Sequence, residues 1–94
     1  MIQAENSPLS LTGKLTSATV PAIFNAGIQR LTGEDMLVDF SQVEMVDSAA
    51  VGMLLGWLRA AQQGKHNLQV MGLPADLISL ATLYGVADFL PQSS

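Results

Sequence analysis

Hydrophobic and polar residues follow two different periodicities along this chain, one typical of strands and the other typical of helices. Residues 9–15 alternate leucine with serine or threonine up to a turn at Gly13, a period of two that predicts a short strand with one buried face. In residues 18–31 apolar side chains recur every three or four positions, with Pro21 in the first turn and Gly33 at the end. This second pattern predicts an amphipathic helix.

The middle of the chain contains its most apolar segments. Residues 36–40 form a nearly continuous apolar run, which is typical of a central strand buried on both faces, and a second short run covers residues 43–46. Asp47 and Ser48 then precede a long apolar segment that ends at Gly64. Because a side-chain oxygen can accept a hydrogen bond from a free amide at a helix start, this boundary predicts the N-terminus of a second helix.

The C-terminal third repeats the alternation of strand and helix. Residues 68–71 predict another buried strand, Pro74 and Gly85 bracket a third predicted helix, and a short apolar segment over residues 86–90 precedes a polar tail. Strands that alternate with helices are typical of a mostly parallel sheet covered by helices, so the predicted fold class is α/β. Because 94 residues leave room for one core only, we expect a single domain over residues 1–94.

Composition indicates a folded chain that is held together by packing alone. Hydrophobic residues make up 49% of the chain and charged residues 13%, which is too apolar for a disordered protein. The lack of cysteine excludes disulfides and thiolate metal sites. The first ten residues have no basic segment before an apolar run, and the longest apolar stretch is about ten residues, against the ~20 that span a bilayer. We therefore expect a cytoplasmic chain that does not cross a membrane.

The charge distribution argues against a nucleic-acid partner. The chain has a net charge of -4, and its four basic residues, Lys14, Arg30, Arg59 and Lys65, are dispersed along the sequence. Phosphate binding needs a concentrated positive surface, so we expect no nucleic-acid partner.

The sequence contains no convincing catalytic arrangement. His66 lies in a polar turn with no Cys or His at metal-ligand spacing, so we expect a solvated loop histidine. The glycines form neither a dinucleotide fingerprint nor a phosphate loop. Asp39, Glu44 and Asp47 could form a carboxylate site, but carboxylates at strand ends and helix starts more commonly bind backbone amides. We therefore expect a protein that is not an enzyme and has no catalytic residues, cofactor or metal.

The second predicted helix has two very different faces. One face is broad and apolar and should pack on the sheet; it contains Ala50, Val51, Leu54, Trp57, Leu58 and Ala61. The opposite face contains Ser48, Gly52, Gly56, Arg59 and Gln63, with Leu55 at its edge. Each interior glycine costs a helix about 1 kcal/mol relative to alanine, so these glycines should serve close approach of another surface. That surface is either a second protein, which we favour, or a neighbouring element of the same domain.

Ser48 has two possible roles at the start of this helix. Its hydroxyl could cap the helix, which local chemistry favours, or it could be phosphorylated and so add negative charge where another protein docks.

Residues 38–56, which read VDFSQVEMVDSAAVGMLLG, carry the central motif of a known family. Asp-x-Ser, a short spacer, a second Asp-Ser and an apolar helix that starts with small residues resemble the STAS domain family, the sulfate transporter and anti-sigma factor antagonist domains. The resemblance extends from about residue 9 to residue 90. It implies a small mixed, mostly parallel β-sheet with helices packed chiefly on one face.

Two branches of the family compete. Residues 80–91, LATLYGVADFLP, resemble the closing helix and tail of the MlaB-type branch, cytosolic subunits of Mla phospholipid ABC transporters. This resemblance implies that the chain binds and modulates the transporter's ATPase subunit, contacts the membrane only through that complex, and helps to maintain outer-membrane lipid asymmetry. In the other branch, the anti-sigma factor antagonists, the position of Ser48 is the regulatory phosphorylation site. A further Ser and a Gly usually follow there, whereas this chain has Ala49 and Ala50, so we favour the MlaB-type branch.

The predicted partner-binding surface combines the helix analysis with the resemblance. It consists of Asp47, Ser48, Ala49, Gly52, Leu55, Gly56 and Arg59. A third possibility is a ligand-binding module in which an apolar pocket between the third helix and the sheet holds a lipid or another small molecule.

Overall fold

The structure, a computed structural model, describes residues 9–31 and 33–90, in which strands and helices alternate. The strands are β1 (Leu9–Leu15), β2 (Met36–Val46) and β3 (Leu68–Met71). The helices are α1 (Val20–Leu31), α2 (Ser48–Gly64) and α3 (Ala75–Leu83), and a 3-10 turn follows at Ala87–Phe89. The predicted order of elements is therefore confirmed. The short apolar segment after α3 contains this turn.

The described strands form one parallel sheet in the order β1-β2-β3, as expected for an α/β fold. The two apolar runs at residues 36–40 and 43–46 belong to one strand, β2, because pairing with β1 continues across the polar residues between them. The pairing of β1 with β2 has two register shifts, one of them between Gly13 and Lys14, and at each shift β2 contains one more residue than β1. Gly13 has a φ of 75°, a conformation that favours glycine.

The helices pack on one face of the sheet. The strand order advances in one direction, so right-handed crossovers place α1 and α2 on the same side. Met36, Val38 and Phe40 of β2 point to that side and are buried, whereas Leu37 and Asp39 between them are only half-buried. The expectation that residues 36–40 are buried on both faces is therefore wrong. Within the described part of the chain, helices cover only one face.

Close contact between α1 and α2 organises the core. Trp57 of α2 is fully buried, and its indole N–H donates a hydrogen bond of 3.0 Å to the backbone carbonyl of Phe24 in α1. The Trp57 ring lies against Gly27, where any side chain would overlap with it. The Phe24 ring in turn lies over Gly56, where an added Cβ would come within 2.6 Å of the ring. Each helix therefore supplies a glycine that receives an aromatic ring of the other helix.

Candidate functional site

Asp47 joins the end of β2 to the start of α2 and fixes the geometry of the predicted site. One carboxylate oxygen accepts the amide hydrogen of Ala49 at 2.8 Å, and the other accepts that of Ser17 at 3.3 Å. The backbone amide of Asp47 donates to the carbonyl of Leu15 at the end of β1. One side chain thus caps α2 and also holds the loop between β1 and α1 in place. The prediction that Asp47 binds backbone amides is confirmed.

Ser48 is the first residue of α2, and its side chain is exposed. The cap role that local chemistry favoured for Ser48 is wrong, because Asp47 has the extended backbone of an N-cap residue and performs that role. The Ser48 hydroxyl therefore faces outward at the start of the helix.

We expect Asp47→Ala to lower the free energy of unfolding by about 1–2 kcal/mol, because it removes the cap of α2 and the bond to Ser17. Urea denaturation measures this change. Asp47→Ser is the matched control, since serine retains the cap of Ala49 and should recover most of the loss. Equal stability of the alanine and serine variants would contradict this role of Asp47.

The two glycines on the outer side of α2 have different environments. An added Cβ at Gly52 meets no atom within 4 Å, so this position opens to solvent. Gly56 is covered by the Phe24 ring of α1. At this position the glycine therefore allows close approach of a neighbouring element of the same domain. The internal contact with Phe24 accounts for Gly56, which corrects the inference that both glycines serve an external surface. Gly52 remains without an internal explanation among the described residues.

Gly52→Ala should stabilise the protein by about 0.5–1 kcal/mol, because alanine favours the helix and enters open space. The same change at Gly56 should bring no gain, because the new methyl group must displace the Phe24 ring. Thermal and urea unfolding of the two variants measure the contrast. A destabilised Gly52→Ala variant would show that position 52 is not open.

The rest of the predicted surface surrounds Gly52. Ala49 and Leu55 are half-buried, whereas Arg59 is exposed and forms no ion pair with any other described residue. Beside Gly52 lies an apolar depression of about 260 Å³ between α1 and α2, which we name the proximal groove. Its lining residues are Val20, Pro21, Phe24, Ala49, Gly52 and Met53.

The contribution of α1 to this surface was missed from the sequence. Val20, Pro21 and Phe24 follow the ordinary pattern of a core helix, and only the packing of α1 on α2 shows that they border Gly52. Met53 was also missed as a core residue, although it is 2% exposed. Its position between the two faces of α2 becomes buried because α1 covers that side.

The other candidate groups lie apart from this surface or have structural partners. His66 lies in the loop between α2 and β3, as expected, and is partly exposed, with its Nδ1 3.5 Å from a carboxylate oxygen of Asp35. Asp39 accepts the Ser41 amide at 2.8 Å, and this hydrogen bond holds the pKa of Asp39 below its usual value. Within residues 9–31 and 33–90, no three His, Asp or Glu side chains cluster closely enough to hold a metal ion.

The sheet-facing side of α3 is filled by its own side chains. Leu77 and Ala81 are completely buried there, which disfavours the hypothesis of a lipid pocket between α3 and the sheet. In the part of the chain that the structure describes, no helix has both the length and the apolar character needed to cross a membrane.

Comparison with known proteins identifies relatives by sequence and by fold. A family model described as "Mlab, STAS domain" matches residues 2–91. No curated protein matches the chain significantly. Among solved structures, the anti-sigma factor antagonist SpoIIAA in its unphosphorylated form is similar, with a TM-score of 0.71. That similarity covers 90% of this chain and 76% of SpoIIAA at 16% sequence identity, and it therefore concerns the fold.

Proposed function

Because the chain belongs to the STAS domain family, within the group described as Mlab, we propose that it is a non-catalytic accessory subunit of an Mla-type phospholipid ABC transporter. In this proposal it binds and modulates the transporter's ATPase subunit. It works in the cytoplasm and reaches the inner membrane only through that complex.

The open position at Gly52 is the observation that supports this proposal most strongly. A glycine inside a helix lowers its stability, and close packing of another surface against the glycine can offset this cost. No described part of this chain packs against Gly52. Ser48, one turn earlier, is also small and exposed. The start of α2 therefore offers a smooth surface onto which another protein can pack closely.

Rigidity at this surface suits a modulating subunit. Asp47 ties the start of α2 to the loop before α1, and the aromatic contacts of Trp57 and Phe24 hold the two helices together. A preorganised surface loses little entropy when it docks. The chain can modulate the ATPase only if it binds one conformation of the ATPase more tightly than another.

Co-purification tests the proposal directly. The full chain, tagged and expressed in its native cells, should retain an ABC-transporter ATPase. Ser48→Arg should abolish this association and leave the fold intact, because Ser48 is exposed and makes no contact in the core. If the wild-type chain retains no such ATPase under conditions that preserve transporter complexes, the proposal is wrong.

The exposed hydroxyl of Ser48 favours one alternative, an anti-sigma factor antagonist that is controlled by phosphorylation. A phosphate there would add a charge of about -1.5 to -2 at the first residue of α2, on the surface that docks. This alternative predicts that a serine kinase modifies Ser48 and that Ser48→Asp releases an anti-sigma factor while Ser48→Ala retains it. Mass spectrometry of the chain from cells and a binding assay with both variants distinguish it from the transporter proposal.

A further inference from the structure

A second apolar depression lies further along the same pair of helices. It has a volume of about 380 Å³, and we name it the distal groove; its lining residues are Ile28, Leu31, Ala60, Gln63 and Gly64. The Phe24 ring, seated on Gly56, separates it from the proximal groove. Gly52 and Gln63 are eleven residues apart and therefore lie on the same side of α2, about 16 Å from each other along the helix axis. The two grooves thus form an interrupted furrow about three helical turns long.

The two helices that form the furrow carry few charged residues. Asp47 and Lys65 flank the two ends of α2. All eight acidic residues of the sequence lie outside α1 and α2. Arg30 is the single charged residue of α1 and pairs with Glu34 at 3.2 Å. Arg59 is the single charged residue of α2, is exposed, and forms no ion pair with another described residue. Within residues 9–31 and 33–90, Arg59 is therefore a positive charge without an ion pair on the outer side of α2, in a chain whose net charge is -4.

We propose that the α1–α2 furrow binds an amphipathic helix of the partner protein, which places apolar side chains in the proximal and distal grooves and a carboxylate opposite Arg59. This inference rests on the proposed function for the identity of the partner, the ATPase subunit. The spacing of the grooves requires partner side chains about three turns apart on one face of a helix.

Charge determines which helix the furrow accepts. A helix with a basic residue between its apolar positions would place that residue against Arg59 and be rejected. A helix with Asp or Glu there gains an ion pair at the edge of an apolar contact, where water is partly excluded. Arg59 is thus a specificity-determining residue, whereas the grooves supply the area of contact.

Site-specific photocrosslinking in cells tests this arrangement. A benzoylphenylalanine at Gln63, which is exposed in the distal groove, should crosslink to the ATPase, and the crosslinked peptide should be a helix that carries an acidic residue. The same probe at Thr12, an exposed residue of β1, is the control and should not react with that peptide.

Substitution of Arg59 tests the charge requirement with purified proteins. Arg59→Glu should weaken binding of the ATPase at least about tenfold, because it turns an attraction into a repulsion, whereas Arg59→Lys should bind nearly as the wild type does. Reversal of the partner's acidic residue to lysine should restore affinity for Arg59→Glu.

The outcomes separate this inference from the proposed function. If the ATPase co-purifies but Gln63 gives no crosslink and Arg59→Glu binds normally, the furrow does not bind a helix, although the transporter proposal stands. If Gln63 crosslinks to an acidic helix of a different protein and the charge reversal restores binding, the furrow is supported and the identity of the partner is wrong. If Gln63 crosslinks to no protein in cells, the inference is overturned.

Discussion

Trp57→Ala should lower the free energy of unfolding by about 3–5 kcal/mol, the largest stability effect that we expect from a single substitution here. Trp57 is fully buried, bonds to the backbone of α1 and fills the space that Gly27 leaves open. Domains of this size are stabilised by only about 5–15 kcal/mol in total, so the variant should be close to unfolding at 37 °C. Urea denaturation followed by circular dichroism measures the change.

Trp57→Phe is the matched control for this prediction. Phenylalanine keeps an aromatic ring against Gly27 but loses the hydrogen bond to Phe24 and part of the volume. We expect a loss of about 1–2 kcal/mol, well below that of the alanine variant. If Trp57→Ala were as stable as Trp57→Phe, the close contact of α1 and α2 would not be the main support of the helical layer.

Gly52→Leu should weaken binding of the ATPase at least about 100-fold while the chain remains folded, a functional effect comparable to that expected of Ser48→Arg. The leucine side chain would project from an open position and hold the partner's surface away from α2, and the lost contacts are worth about 3 kcal/mol or more. Because position 52 is open, the leucine side chain should not clash with any described part of the chain. Titration calorimetry with the purified ATPase measures the affinity.

Two controls make this result specific. Ser79→Leu places the same side chain on an exposed position of α3, away from the proposed surface, and should bind normally. Urea denaturation of Gly52→Leu should give a stability at least equal to that of the wild type, because leucine is a better helix former than glycine. If the folded Gly52→Leu variant bound the ATPase with normal affinity, Gly52 would not be part of the docking surface.

The order and approximate bounds of the elements were predictable because the local patterns agree with the tertiary structure. The alternation in β1, the threefold and fourfold spacing in α1 and the boundary at Asp47 all agree with the structure. The one-sided burial of β2 was not apparent from its sequence, since Leu37 is apolar although it lies on the face that the described helices leave open. A continuous apolar run does not distinguish a strand buried on one face from a strand buried on both faces.

The site was harder to predict because its shape depends on how two helices pack. Periodicity placed Gly52 and Gly56 on the same face of α2, but only the position of Phe24 in α1 separates an open glycine from a covered one. Aspartate and serine are both favoured N-cap residues, so the sequence does not show which of Asp47 and Ser48 is the cap. The extended backbone of Asp47 in the structure identifies it as the cap.

Hydrogen exchange of the chain with and without the purified ATPase locates the docking surface without any substitution. We predict slower exchange of amides in the first two turns of α2, around Ser48 and Gly52, and in the neighbouring loop at Ser17. Exchange in α3 and the turn at Ala87–Phe89 should be unchanged. Protection confined to α3, or no protection at the start of α2 in a complex that has formed, would show that the ATPase does not dock on the start of α2.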